Sequence, residues 1–173
     1  IEPEPGSGRG IPGGIGGWGA VLLAYGNVIR TVSGGELSTT NSRMELLGVI
    51  GALRVCPRSS EGIIVYSDSQ YIVSTVNKGW ARNKNTDLWD ELQFYLDSMK
   101  IDFVWVKGHN GNTYNEVANE LATSASAKMK EYVMQNKKDR RAEKRERRRR
   151  RLEASLKITG VPGEQRSDSL EVS

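Results

Sequence analysis

A mixed α/β sheet with helices on its faces is the fold class this sequence predicts, and three observations predict it. After the first dozen residues come segments suited to a sheet. Apolar residues at helical spacing follow. The run GIIVYSDS is then continuously apolar as far as Tyr66, as in a buried parallel strand. In order, the segments read strand–strand–helix–strand–helix–helix–strand–helix, an alternation that builds helix-covered sheets. In open sheets of this kind, ligands gather at the carboxyl ends of the strands.

Each element has its own local signal. GGWGAVLLAYGNVIRTVSGGEL reads as two strands joined by a tight turn at Gly26-Asn27, with Val21, Leu23, Tyr25, Val28, Thr31 and Val32 suited to a sheet. In STTNSRMELLGVIGALRVC, Thr40 or Asn41 can cap a helix. Met44, Leu47, Ile50, Gly51 and Leu53 then recur at helical spacing until Pro57 ends it. DSQYIVSTVNKG opens a second helix, capped near Asp68 or Ser69, and NTDLWDELQFYLDSM a third, capped at Asn85 or Thr86. IDFVWVKG is a strand. YNEVANELATSASAKMKEYVMQ is a long helix able to run on into NKKDRRAEKRERRRRRLEASL, and the closing GVPGEQRSDSLEVS has the composition of a disordered tail.

The 173 residues suffice for one domain and an extension. No apolar run approaches the ~20 residues of a membrane span, and no signal peptide is visible. With a single cysteine, Cys56, no internal disulfide can form, so a reducing, cytoplasmic setting is expected. The net charge of +4 is unevenly spread: residues 128–153 hold 13 Lys and Arg against 5 acidic side chains, while residues 1–127 are mildly acidic. Such a tail suits a polyanion, and it equally suits a solvated helix or a localisation patch.

Asp68 directly follows the apolar strand, and Glu45 lies about one turn into the first helix. Carboxylates converging on one point suit hard cations, above all Mg²⁺, which takes oxygen ligands and keeps several waters. A helix N-cap for Asp68 and a helix-dipole partner for Glu45 are the competing structural roles.

TTNSRMELLGVIGAL, YSDSQYIV, NTDLWDEL and VWVKGHNGNTYNEVANELA occur in this order, after GGWGAVL. Together, over residues 6 to 127, they resemble the type 1 ribonuclease H family, which cuts the RNA strand of RNA–DNA hybrids. The resemblance implies a ribonuclease H-like mixed five-stranded sheet with helices on both faces, its central strand first in sequence. It implies a site of four acidic ligands for Mg²⁺, or alternatively Mn²⁺. Glu45 matches the helix glutamate and Asp68 the aspartate before the serine. His109, the only histidine, matches a loop histidine that moves protons. Thr40, Asn41, Ser42, Gln70 and Trp80 match positions that contact the hybrid.

The chain departs from the pattern twice. Where the family has its fourth acidic ligand, NEVANELA carries Asn119, which keeps an oxygen but lacks the charge. Glu116 and Glu120 flank it at different helix positions and are not assigned as ligands. Pro5 falls where the first catalytic aspartate belongs, and Pro3 and Pro5 bar IEPEP from a central strand, so that strand is expected to be missing or displaced. Glu4 is a carboxylate that could swing towards the site. The chain does not begin with methionine, so the opening segment is compatible with a natural, truncated or altered terminus.

The expected organisation is a ribonuclease H-like domain over residues 1–127, a basic helical extension over 128–155 and a disordered tail over 156–173. The expected activity is metal-dependent endonuclease cleavage of hybrid RNA. The expected partner is the hybrid, with the basic tail contacting nucleic acid, no membrane and a monomeric state. The alternative is an inactive ribonuclease H-like scaffold that binds nucleic acid or protein.

Overall fold

The computed structural model describes residues 13–57, 61–108 and 113–158. The chain divides into two units, Ile1–Tyr132 and Val133–Ser173. Its elements are β1 (Gly14–Ala24), β2 (Asn27–Thr39), α1 (Asn41–Val55), β3 (Ile63–Ser67), α2 (Gln70–Lys78), α3 (Thr86–Ser98), β4 (Ile101–Trp105) and α4 (Thr113–Ile158).

The pairing is mixed. β1 and β2 form an antiparallel hairpin, and β3 pairs with β4 in parallel, Val65 opposite Phe103. The turn lies one residue earlier than the sequence suggests. Tyr25 and Gly26 both take positive φ (50° and 78°), and Ala24 pairs with Asn27. Two left-handed central residues match the twist of a hairpin, and the Asn27 side chain donates to the Tyr25 carbonyl, 3.3 Å away. Among the described residues there are four strands in two separate two-stranded sheets, β1–β2 and β3–β4. The expected fifth, central strand is not among them, and residues 1–12, with Glu4 and Pro5, lie outside the described residues.

Helix α1 is buried almost all round, which is why its apolar pattern is denser than one helical stripe. Met44, Leu46, Leu47, Val49, Ile50 and Leu53 all reach the core, with Ile72 and Val73 of α2, Leu88, Trp89 and Leu92 of α3, and Phe103 of β4. On its sheet side, a Cβ on Gly51 would overlap the Trp18 ring. The opposite face of β1 carries Gly17 and Gly19, whose missing side chains admit the backbone of α4 at Ala118 and Ala122. Helices therefore lie on both faces of β1. Arg43 ties three elements together, reaching Glu36 of β2 and Asp87 of α3, each at 2.9 Å. Those two carboxylates hold its guanidinium well above the usual arginine range.

Local capping explains where helices begin. Thr40 accepts from the Arg43 amide at 3.4 Å, and Ser69 from the Ile72 amide at 3.4 Å. Asn85 caps α3 through left-handed backbone geometry and without a side-chain bond.

In the second unit, the helix that begins at Thr113 continues to Ile158, with residues 134–155 exposed. Arg150–Glu146 at 2.7 Å and Arg149–Glu153 at 3.4 Å are i,i+4 pairs, each contributing a few tenths of a kcal/mol (~0.3–0.5) to such a helix. No helix of the described residues is long and apolar enough to cross a membrane.

Candidate active site

The site is built where the carboxyl end of β3 meets the first turns of α1 and α2. β3 ends at Ser67, whose hydroxyl accepts from the Ser69 amide at 3.1 Å and shapes the turn that carries Asp68. The N-cap of α2 is Ser69, so Asp68 is not used as the cap. Glu45 lies beyond the first turn of α1, which contains no acidic residue. The two structural alternatives open in the sequence are therefore not the roles these carboxylates play.

Ser69 joins the two sides. Its hydroxyl donates to Glu45 Oε2 at 2.6 Å while accepting from the Ile72 amide. Glu45 retains solvent exposure, yet its carboxylate is crowded by protein. Desolvation raises its pKa above the ordinary glutamate range, the Ser69 bond opposes the shift, and the charge of Asp68 adds to it. Asp68 is exposed and held from three sides. Trp105 Nε1 donates to its backbone carbonyl at 3.2 Å, and Asn115 Nδ2 to Oδ2 at 3.3 Å. A Cβ on Gly108 would come within 2.9 Å of that same oxygen, so a larger residue there would push the carboxylate aside.

Glu45, Asp68, Asn119 and Asn41 all line one cavity of about 1030 Å³. Thr40 and Ser42 flank Asn41 at the start of α1, their hydroxyls 3.4 Å apart, and Gln70 is the exposed first residue of α2. Trp80 lies past the other end of α2, beyond the left-handed Gly79, and does not line the cavity. His109 lies outside the described residues. Cys56 also lines the cavity, but burial pushes its thiol above its ordinary pKa, the reverse of what a nucleophile needs.

Two residues have roles here that the sequence alone did not reveal. Ser69 was legible only as a cap, because its second bond depends on α1 arriving from elsewhere in the fold. Asn115 lies four residues before Asn119, the spacing that puts two side chains on one helix face, and that spacing could have found it.

Two carboxylates at a strand's carboxyl end and beside two helix starts are groups of the kind that hard divalent cations and phosphate esters meet. Among the described residues no group of three or more His, Cys, Asp or Glu forms a metal-binding cluster. Comparison with known proteins gives the family. The RNase H family model matches residues 6–127. A ribonuclease H of Marinobacter nauticus is 43% identical over 127 residues, covering 66% of this chain and 84% of its own. One from Francisella philomiragia is 41% identical over 142 residues, covering 75% and 91%. The crystal structure of LC9-RNase H1, a type 1 RNase H with the type 2 active-site motif, matches with a TM-score of 0.54 and 32% identity, covering 69% of this chain and 67% of that one. LC11-RNase H1 in complex with RNA/DNA hybrid shares the fold at a TM-score of 0.57 and 21% identity, covering 70% and 93%.

The chain belongs to the RNase H family, whose enzymes hydrolyse the RNA strand of RNA–DNA hybrids with divalent metal ions.

Proposed function

We propose that this chain hydrolyses hybrid RNA at the Glu45–Asp68 end of the cavity, with Mg²⁺ as the working ion and Mn²⁺ able to replace it. The observation that carries the reading is the meeting of Glu45 and Asp68 through Ser69, residues from two elements far apart in sequence. The mutual repulsion that helps to raise the Glu45 pKa is the condition a cation relieves. Glu45 and Asp68 would hold the metal, with Asn119 as a weak neutral ligand. Ions bound there would supply charge stabilisation at the scissile phosphate and make a water more nucleophilic. Hydrolysis would join a water to phosphorus and break the P–O3′ bond, leaving a 5′-phosphate and a 3′-hydroxyl. His109 delivers or removes the proton. Asn115 and Ser69 aim the two carboxylates.

Thr40, Asn41, Ser42 and Gln70 gather at the starts of α1 and α2, where free backbone N–H groups favour phosphate and where polar side chains can read 2′-hydroxyls. Trp80, partly exposed, would meet the hybrid away from the reacting phosphate. The reading includes a ribonuclease H-like domain over 1–127, a monomeric protein and a cytoplasmic setting, the last supported by the lone Cys56.

One observation favours a protein that binds without cutting: Pro5 and Asn119 stand where the family has acidic ligands. Asn119→Asp separates the readings. It is expected to raise hybrid cleavage about tenfold or more and to lower the Mg²⁺ concentration needed, since it adds a charge to the ion's shell. A hybrid-cleavage assay across a Mg²⁺ series measures this. No cleavage by either protein, with hybrid binding intact, would assign the chain to the binding role.

The exposed basic helix of residues 128–155 would grip phosphates. Deleting residues 133–173 is expected to flatten the dependence of log K on log salt by about 0.7–0.9 for every phosphate that the tail neutralises. Hybrid binding measured at several salt concentrations checks this, and an unchanged slope removes the tail from the interface.

A further inference from the structure

The basic helix of the second unit has two unlike faces. Residues 137–151 hold eleven Lys and Arg against three acidic side chains, all of them exposed. The acids are not scattered. Asp139, Glu143, Glu146 and Glu153 follow at spacings of four, three and seven, which puts them in one narrow stripe along the helix. Arg150 lies in that stripe and pairs with Glu146 at 2.7 Å, and Arg149, at its margin, pairs with Glu153 at 3.4 Å. The other nine cations form no ion pair among the described residues. Lys137, Arg141, Lys144, Arg148 and Arg151 run in a line along the side opposite the stripe. Arg140 and Arg147 lie to one flank of that line, and Lys138 and Arg145 to the other. At 3.6 residues per turn, the two flanks are about 160° apart around the axis, so their side chains point almost oppositely.

We propose that this helix is a duplex-DNA element, lying in the major groove with a phosphate wall on each flank and its acidic stripe at the open mouth. A flat anionic surface meets one side of a rod, so cations on two opposite flanks are used only where phosphates stand on both sides. The stretch has no apolar face, Ala142 being its single apolar residue, and so does not fit a membrane surface. Shape selects the duplex. An α-helix with its side chains is about 10–12 Å across, and the major groove of B-form DNA is about 12 Å wide. The major groove of an A-form duplex is deep and narrow, and an RNA–DNA heteroduplex shares that geometry. On those duplexes the helix can only lie across the rim. Fifteen residues rise about 22 Å, a length of B-form DNA that carries about 13 phosphates, enough for all nine unpaired cations. The inference rests on the phosphate grip proposed above for this helix and adds which duplex it is shaped for. It needs neither metal nor hydrolysis.

The probes are a labelled DNA duplex of about two turns and an RNA duplex of the same sequence, titrated with the full chain in the absence of metal. Fluorescence anisotropy is expected to show the DNA bound about tenfold more tightly than the RNA. Arg140→Gln with Arg147→Gln removes one flank, and Lys138→Gln with Arg145→Gln the other. Each pair is expected to flatten the slope of log K against log salt on DNA by about 1.8, at about 0.9 for each phosphate released. Arg150→Gln makes the same change of charge as one flank arginine, but on the stripe, and is expected to leave that slope as it is. Guanine N7, which faces the major groove, should be protected from methylation by the full chain. RNA bound as tightly as DNA, a flank pair without effect, or an unprotected N7 would overturn the groove, even where the salt slope on hybrid upholds the phosphate grip. A change from Arg150→Gln as large as that from Arg147→Gln alone would overturn the two-faced arrangement.

Discussion

Replacing Glu45 by Gln is expected to remove hybrid cleavage and at the same time to raise the melting temperature. The two effects share one cause. Desolvation and the nearby Asp68 hold the Glu45 pKa above its ordinary value in the folded protein. The folded state therefore binds more protons than the unfolded chain from about pH 4.5 up to the raised folded value. Stability falls as pH rises through that window, and above it the ionised carboxylate remains a standing cost. Glutamine has no charge to desolvate and can still accept the Ser69 hydroxyl, so the fold gains what the site loses. Cleavage, on the proposed mechanism, needs the charge. Losing one carboxylate ligand removes several kcal/mol of transition-state stabilisation, about 10³-fold in rate or more. Asp68→Asn should show the same loss of rate. Thermal melts from pH 4 to pH 8, beside single-turnover cleavage, test the pair of effects. A Glu45→Gln protein that cuts normally, or that melts lower than the wild type at neutral pH, would contradict this account.

Trp89→Ala carries the largest expected cost in stability, about 3–5 kcal/mol. Trp89 is 1% exposed at the centre of the α1–α2–α3 core. It meets Tyr71 edge-on, with ring centroids 5.8 Å apart, and its Nε1 donates to the Tyr71 hydroxyl at 3.3 Å. Arg82 lies over its ring at 5.1 Å from the centroid. Truncation opens a cavity among these partners and leaves them no replacement. A domain of this size holds only about 5–15 kcal/mol in total, so the variant should unfold at much lower denaturant. Trp89→Phe keeps most of the packing and should recover most of the midpoint. Urea melts of both decide the matter: a shift of under about 1 kcal/mol for the alanine variant would show that the core closes over the gap.

What the sequence made legible was local. Thr40, Ser69 and Asn85 announce their helices because a cap acts within three or four residues. Glu45 and Asp68 were readable as a pair through the strand-end rule and the family resemblance, and the fold brings them to one place. The hairpin was displaced by one residue because tyrosine gives no hint that it will accept a positive φ, as Tyr25 does. The bonds that aim the site were hidden for a different reason. Asn115 reaches Asp68 across 47 positions and Ser69 reaches Glu45 across 24, and no local pattern encodes such meetings. The division into two sheets was only half visible. The prolines of the opening segment argue against a strand there, and that segment lies outside the described residues.

The seating of α4 on Gly17 and Gly19 has a consequence for Asn119. Ala118 and Ala122 rest on bare peptide groups, with Leu121 Cβ beside them, so the joint has little room to absorb a change in spacing. Asn119 is the next residue after Ala118, so the width of two glycines sets where this turn of the helix lies. One methyl group added at either position would act as a shim, pushing this part of the helix away from β1.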